Sequence, residues 1–136
     1  MQLLGKNKGS KFYNLSGWFF VLKAFKIKTE LWVQAQIKLC DINFIPIVVR
    51  KKGDPDSGAI ILKIRQKDSS YRVLSQVRDH NGNLSWMYCG GGESIDDDQS
   101  EIYIRNQINL DPDLWVIEIE DQEDKYQLHG DILKTT

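Results

Sequence analysis

Between Ala59 and Tyr88 the apolar side chains recur at every second residue in three successive runs, and that one pattern excludes an all-helical fold. In the first run Ile60, Leu62 and Ile64 stand on one side, with Ile61, Lys63 and Arg65 on the other, which predicts a half-buried strand. Tyr71, Val73, Ser75 and Val77 against Arg72, Leu74, Gln76 and Arg78 form the second run, and Leu84, Trp86 and Tyr88 the third. The connections are short and polar. Asp79-His80-Asn81-Gly82-Asn83 contains Asn-Gly, the strongest local signal for a tight hairpin. The three runs read as an antiparallel meander.

Helix-period segments flank the meander. Thr29 is placed to cap a helix through its hydroxyl, with Glu30 in the first turn. Val33, Ile37, Cys40 and Phe44 follow at i, i+4, i+7 and i+11, with Trp32 and Leu39 widening the stripe, so a helix is expected from Thr29 to about Asn43, closed by Pro46. Ile45 to Val49 is a β-branched run expected to be a strand covered on both faces. Beyond Gly90-Gly91-Gly92, Ser94 followed by Asp97 resembles a capping box, and Asp96 to Asp98 bring negative charge to a helix start. The pairs Ile104/Ile108 and Glu101/Arg105 extend that helix over about 95–109, and Asp111-Pro112-Asp113 stops it. Leu114 to Glu120 alternates cleanly, with Trp115, Ile117 and Ile119 opposite Val116, Glu118 and Glu120.

The order helix-strand-strand-strand-strand-helix-strand predicts a single α+β domain. Its sheet is expected to be mixed or mostly antiparallel, with about five strands and both helices packed on one face. Trp32, Trp86 and Trp115 are expected in the core.

Charge divides the chain unevenly. Eighteen Lys and Arg against 19 Asp and Glu leave a formal charge of -1, yet residues 1–26 hold Lys6, Lys8, Lys11, Lys23 and Lys26 and no acid. The folded unit, expected at 27–132 with 133–136 as a tail, is therefore distinctly acidic, which disfavours nucleic acid as a partner. Residues 1–26 read as a basic leader, either flexible or foreign to the native protein. Lys23 interrupts the only apolar run there, so no signal peptide is expected, and no stretch is long and apolar enough for a membrane span. Trp18, Phe19, Phe20 and Phe25 beside lysines leave surface contact with a membrane through residues 12–26 as a minor alternative. Two scattered cysteines, Cys40 and Cys89, fit neither a disulfide framework nor a zinc site, and imply a reducing, cytoplasmic location.

Two clusters invite a chemical reading. In the loop from Arg50 to Gly58, Asp54 and Asp56 could hold a hard cation, or Lys51 and Lys52 with the Gly53 and Gly58 amides a phosphate. A solvated turn with locally paired charges accounts for the same residues and is preferred. No GxxxxGK[ST] occurs, which argues against a self-sufficient nucleotide hydrolase. Near the C-terminus Asp113, Glu118 and Glu120 form an acidic strip, read as the solvent face of a strand or as partners of Lys63 and Arg65. His80 and His129 lack companions at catalytic or ligand spacing.

Three segments together resemble a known family: Lys28-Thr29-Glu30-Leu31-Trp32-Val33-Gln34-Ala35, Val48-Val49-Arg50-Lys51-Lys52-Gly53-Asp54-Pro55-Asp56-Ser57-Gly58-Ala59, and Asp111-Pro112-Asp113-Leu114-Trp115-Val116-Ile117-Glu118-Ile119-Glu120-Asp121. They are similar, in order and spacing over about residues 27–129, to an uncharacterised alphaproteobacterial family, domain of unknown function number 1491. The resemblance implies a domain starting near Ile27 and carries no activity, cofactor or catalytic residue. The element order also resembles the core of PD-(D/E)xK metal-dependent nucleases, but Leu62-Lys63-Ile64-Arg65 lacks the acid-x-lysine pair.

The expectation is therefore a small cytoplasmic interaction or accessory module, non-catalytic, with a protein partner and no cofactor or metal. The alternative is a metal-dependent enzyme processing nucleic acid or nucleotides through the Arg50 to Gly58 loop. Oligomeric state is not encoded in any of these patterns.

Overall fold

The structure, a computed structural model, describes residues 28–78, 81 and 83–133. The leader, the membrane-contact segment 12–26 and His80 lie outside the described residues. The elements are α1 (Thr29–Ile42), β1 (Ile47–Lys51), β2 (Ile60–Arg65), β3 (Tyr71–Arg78), β4 (Leu84–Tyr88), α2 (Asp97–Leu110), β5 (Trp115–Glu120) and β6 (Asp131–Leu133). The fold is α+β with one six-stranded mixed sheet in the order β1-β5-β2-β3-β4-β6.

The meander forms as expected: β2 pairs antiparallel with β3, and β3 with β4. After α2 the chain returns between β1 and β2, so that β5 runs parallel to β2 and antiparallel to β1. β6, a three-residue strand parallel to β4, has no counterpart in the sequence reading, being too short to show a period.

The helices lie on opposite faces of the sheet rather than on one. Trp32, Val33 and Cys40 of α1 pack against Ile60, Leu62, Ile64, Leu74, Trp86, Trp115, Ile117 and Ile119. Ile104 of α2 packs against Ile61, Val73, Ile95, Leu114 and Val116, the side chains that point the other way. The physical cause is β2, whose residues Ile60 to Ile64 are all buried instead of half-buried. A strand apolar on both sides needs two covers, and each fully buried aliphatic side chain contributes roughly 1.5–3 kcal/mol. All three expected tryptophans are in the core, with the Trp32 and Trp86 rings tilted by 42° at 5.6 Å.

β1 departs from the expected strand covered on both faces. Among the described residues it is an edge strand that includes Arg50 and Lys51, its burial alternates, and a bulge falls between Val49 and Lys51.

The caps differ from the sequence reading in instructive ways. Thr29 is inside α1, and its hydroxyl donates to the Gly58 carbonyl at 2.8 Å, while the Thr29 and Glu30 amides donate to the Asp56 and Pro55 carbonyls. The loop before β2 thus does the capping. At the other end Phe44 does not continue the apolar stripe. It takes a left-handed φ of 57°, which turns the chain so that Ile45 enters the core and its amide reaches the Cys40 carbonyl at 2.8 Å. α2 is capped by Asp96 rather than Ser94: the Asp96 carboxylate accepts from the Gln99 amide and the Gln99 side chain accepts from the Asp96 amide. Ser94 instead bonds Ser70, beside the bridge that ties Ile95 to Tyr71.

Replacing Asp96 by Ala removes the carboxylate half of that capping box, leaving only the backbone amide to the Gln99 side chain, and is expected to cost about 1 kcal/mol, within the 0.5–2 kcal/mol of comparable caps. Urea denaturation measures it; an unchanged midpoint would mean that burial alone fixes the start of α2.

Candidate functional site

The Arg50 to Gly58 loop is a junction at one end of the sheet. Gly53 and Gly58 press against the turn before β5: a Cβ on Gly53 would lie 2.0 Å from the Asp113 carbonyl oxygen, and one on Gly58 2.5 Å from the same atom. The Asp54 amide donates to that carbonyl, and the Trp115 indole donates to the Asp54 carbonyl at 2.7 Å. The Asp54 carboxylate accepts from the Asp56 and Ser57 amides and the Ser57 hydroxyl, bonds that hold its pKa below the ordinary carboxylate value. Lys51 Nζ donates to the Pro112 and Leu114 carbonyls at 2.6 and 3.0 Å. Asp56 meets Lys28 in an exposed pair at 3.5 Å, and Lys52 is exposed. The loop groups best suited to gripping a phosphate or cation, Lys51, Asp54 and the Gly58 amide, therefore already make intramolecular bonds.

Arg50 leaves the loop altogether. Its guanidinium forks onto Glu101 of α2, with both contacts at 2.7 Å, and reaches Glu118 of β5 at 3.2 Å. Glu101 also receives Lys63 Nζ at 2.6 Å, and Lys63 reaches Asp97. Lys63 is 3% exposed, its ammonium 4.4 Å from the Tyr71 ring centre. Burial lowers the Lys63 pKa, but the bonds from Asp97 and Glu101 more than offset this and leave it net raised. The fork from Arg50, together with Lys63, pulls Glu101 from its ordinary 4.5 down to about 2. The cluster is an ordered ionic clamp between α2 and the sheet. Glu101 turns to it rather than to Arg105, the partner expected from helical spacing, because a buried ammonium requires a carboxylate.

The acidic strip is divided. Glu118 and Glu120 share the α2 face of β5, opposite Lys63 and Arg65 in register, as their alternative reading has it; Glu120 lies 3.9 Å from Arg65. Asp113 is apart, exposed in the turn before β5 with its amide on Asp111. Asp56 serves the N-terminus of α1, on the face opposite Lys63 and Glu118, so these residues do not converge on one site. Among the described residues no three His, Cys, Asp or Glu side chains could hold a metal ion. Cys40 is buried, its thiol pushed up to about 12, chiefly by desolvation. Cys89 lines a cleft of about 420 Å³ with Tyr88, Gly90, Gly91, Gly92 and Leu133.

Sequence reasoning set Lys63 beside the acidic strip but missed its bonds to Asp97 and Glu101, and it missed Phe44. Ile60-Ile61-Leu62-Lys63-Ile64 is nearly continuous, a signal for a strand buried on both sides, and a lysine within it calls for carboxylates on the covering helix. Phe44 was absorbed into a stripe that it leaves; it is 88% exposed.

These features define a small α+β protein in which a six-stranded mixed sheet lies between two helices and an ionic clamp fixes the second helix. The model of the family described as "Protein of unknown function (DUF1491)" matches residues 27–129, and the chain belongs to that family. It is similar to a DUF1491 family protein from Caulobacter crescentus CB15 whose crystal structure is known, with 27% identity, TM-score 0.70, and 79% of this chain and 99% of that one covered. The solution structure of protein Atu0922 from A. tumefaciens, 21% identical over 71% of this chain and 86% of its own, has the same fold at TM-score 0.61. No curated protein matches. No described helix is long and apolar enough to cross a membrane.

Glu101 has a lowered folded-state pKa, so its contribution to stability is complete above about 4.5 and is lost as pH falls toward about 2. Glu101→Gln is expected to lower stability at neutral pH by roughly 1.5–3 kcal/mol, the worth of hydrogen bonds to charged groups. It should also flatten the acid limb between those pH values; denaturation series at several pH values test both. Gly53→Ala, which must displace backbone, is expected to cost at least about 1–3 kcal/mol in the same assay.

Proposed function

We propose that this protein is a small cytoplasmic, non-catalytic interaction module that binds another protein through the surface around Phe44. The observation that carries the reading is Phe44 itself. The position after a helix C-cap is where glycine relieves left-handed strain, and here a bulky aromatic occupies it with φ 57° and its side chain 88% in water. Such a residue costs stability twice, through backbone strain and through exposed apolar area, which is the mark of a contact residue. Leu31 and Ile42 add to it. Together with Ala35 and Lys38 they form an outward row on α1 at i, i+4, i+7 and i+11, and both are exposed.

The strongest charges offer no competing site. Arg50, Lys63, Glu101 and Glu118 neutralise one another across the sheet, and Lys51 and Asp54 brace their own loop. Nothing in the geometry of the Arg50 to Gly58 loop favours metal-dependent processing of nucleic acid or nucleotides.

Phe44→Gly separates fold from function. It is expected to stabilise the protein by about 1 kcal/mol, because glycine adopts φ 57° without the penalty of a Cβ. In crosslinked material from the native cells it should lose most of the partner that the wild type retains. A destabilised variant, or undiminished partner recovery, would sink the proposal.

A further inference from the structure

Among the described residues β1 is an edge of the sheet, and that edge is complementary to itself. The Glu120 amide donates to the Pro46 carbonyl, so in the antiparallel pair with β5 the residues facing inward are Pro46 and Val48, and those facing outward are Ile47 and Val49. The amides and carbonyls of Ile47 and Val49 therefore stand along the outer edge, symmetrically about Val48. Pro46, which would blunt an outward position, stands at an inward one where no edge donor is missing.

Natural sheet edges are usually protected by charged side chains. Here the two cations of β1 are drawn away from the edge. Arg50 is held over the sheet by Glu101 and Glu118, and Lys51 is held by the Pro112 and Leu114 carbonyls. What the edge presents instead is Val48, β-branched and 54% exposed on the α2 face, with half-buried Ile47 and Val49 on the α1 face.

We infer that two copies of this chain pair through β1, antiparallel and in isologous fashion about a two-fold axis at Val48, joining their sheets into one. In this register Ile47 of each copy faces Val49 of the other and exchanges both backbone hydrogen bonds with it. Val48 faces its own counterpart as a non-hydrogen-bonded pair, the arrangement in which opposed side chains stand closest. The half-buried Ile47 and Val49 side chains become neighbours across the axis, continuing the cluster that α1 covers. A two-fold contact places like groups near each other, and the edge tolerates this because its centre carries no charge. Phe44 lies outside the paired residues Ile47 to Val49.

The test uses the full chain. Sedimentation equilibrium is expected to give a mass that doubles with rising concentration in the wild type. Val48→Lys, which adds a charge at an already exposed position and then opposes two ammonium groups, should reduce it to the monomer with an unchanged circular dichroism spectrum. In a Cys89→Ser background, Val48→Cys should be captured by diamide as a disulfide-linked dimer, since opposed residues at that spacing meet disulfide geometry. Ser69→Cys, in an exposed turn between β2 and β3, should not. A wild type that is monomeric at every concentration, a dimer indifferent to Val48→Lys, or equal crosslinking from both positions would overturn the inference. Because Phe44→Gly leaves this edge untouched, a monomeric wild type that still binds its partner through Phe44 would refute only the pairing.

Discussion

The parallel pairing of β2 with β5 is the constraint on which the rest of the fold depends. Two parallel strands cannot be joined by a tight turn, so the chain between them must leave the sheet and return. Here it does so by way of β3, β4 and α2, which sets α2 on the face opposite α1. β2 is thereby enclosed on both sides. Lys63, which an open sheet would have left in water, is enclosed with it and must be matched by anions from the helix that covers it. Glu101 meets that requirement and also receives Arg50 from the far edge, so one carboxylate links β1, β2 and α2.

The same pairing determines the work of the Arg50 to Gly58 loop. The register Ile60 with Trp115 brings the start of β2 beside the start of β5, and the two approaching backbones leave no space for a Cβ at Gly53 or Gly58. The loop then turns two of its carbonyls onto the first amides of α1. Its mixture of glycine, aspartate and lysine, which could be mistaken for ligand chemistry, follows from the need to bond three elements at one point. Turn chemistry and binding-loop chemistry draw on the same residue types because both depend on satisfying backbone groups without regular structure.

Much of this was legible in the sequence, and the failures share a cause. Periodicity locates both helices and the strands β2 to β5, Trp115, Ile117 and Ile119 taking the core face it assigns them, while β1 shows only as a β-branched run. Periodicity could not say which face of the sheet a helix would cover, since Ile60 and Ile61 are equally apolar and the choice rests on the long-range path from β2 to β5. The candidate sites suffered more. Lys63 resembles a solvent-facing lysine until α2 is placed, Glu101 has an Arg105 at helical spacing that it does not use, and Phe44 fits a stripe that the chain abandons by a single left-handed residue. Local pattern is blind to contacts between residues 34 to 68 positions apart, and the clamp consists of such contacts.

Satisfying those charges internally, Lys63 among them buried, has a consequence for recognition. An ion pair locked to its own chain projects little field into solvent, and salt screens what remains beyond about 10 Å. On the proposed reading the clamped charges Arg50, Lys63, Glu101 and Glu118 therefore have little part in attracting a partner. Specificity, on that reading, falls instead to apolar side chains that the fold holds outward, Phe44 after α1 and Val48 on β1, and to the backbone groups of that strand. Recognition of that kind is short in range and sensitive to shape, because apolar burial depends on area removed from water. It suits a partner met at close quarters more than one drawn from a distance by charge, and it is compatible with an acidic domain because neither apolar burial nor edge pairing requires a charge of opposite sign.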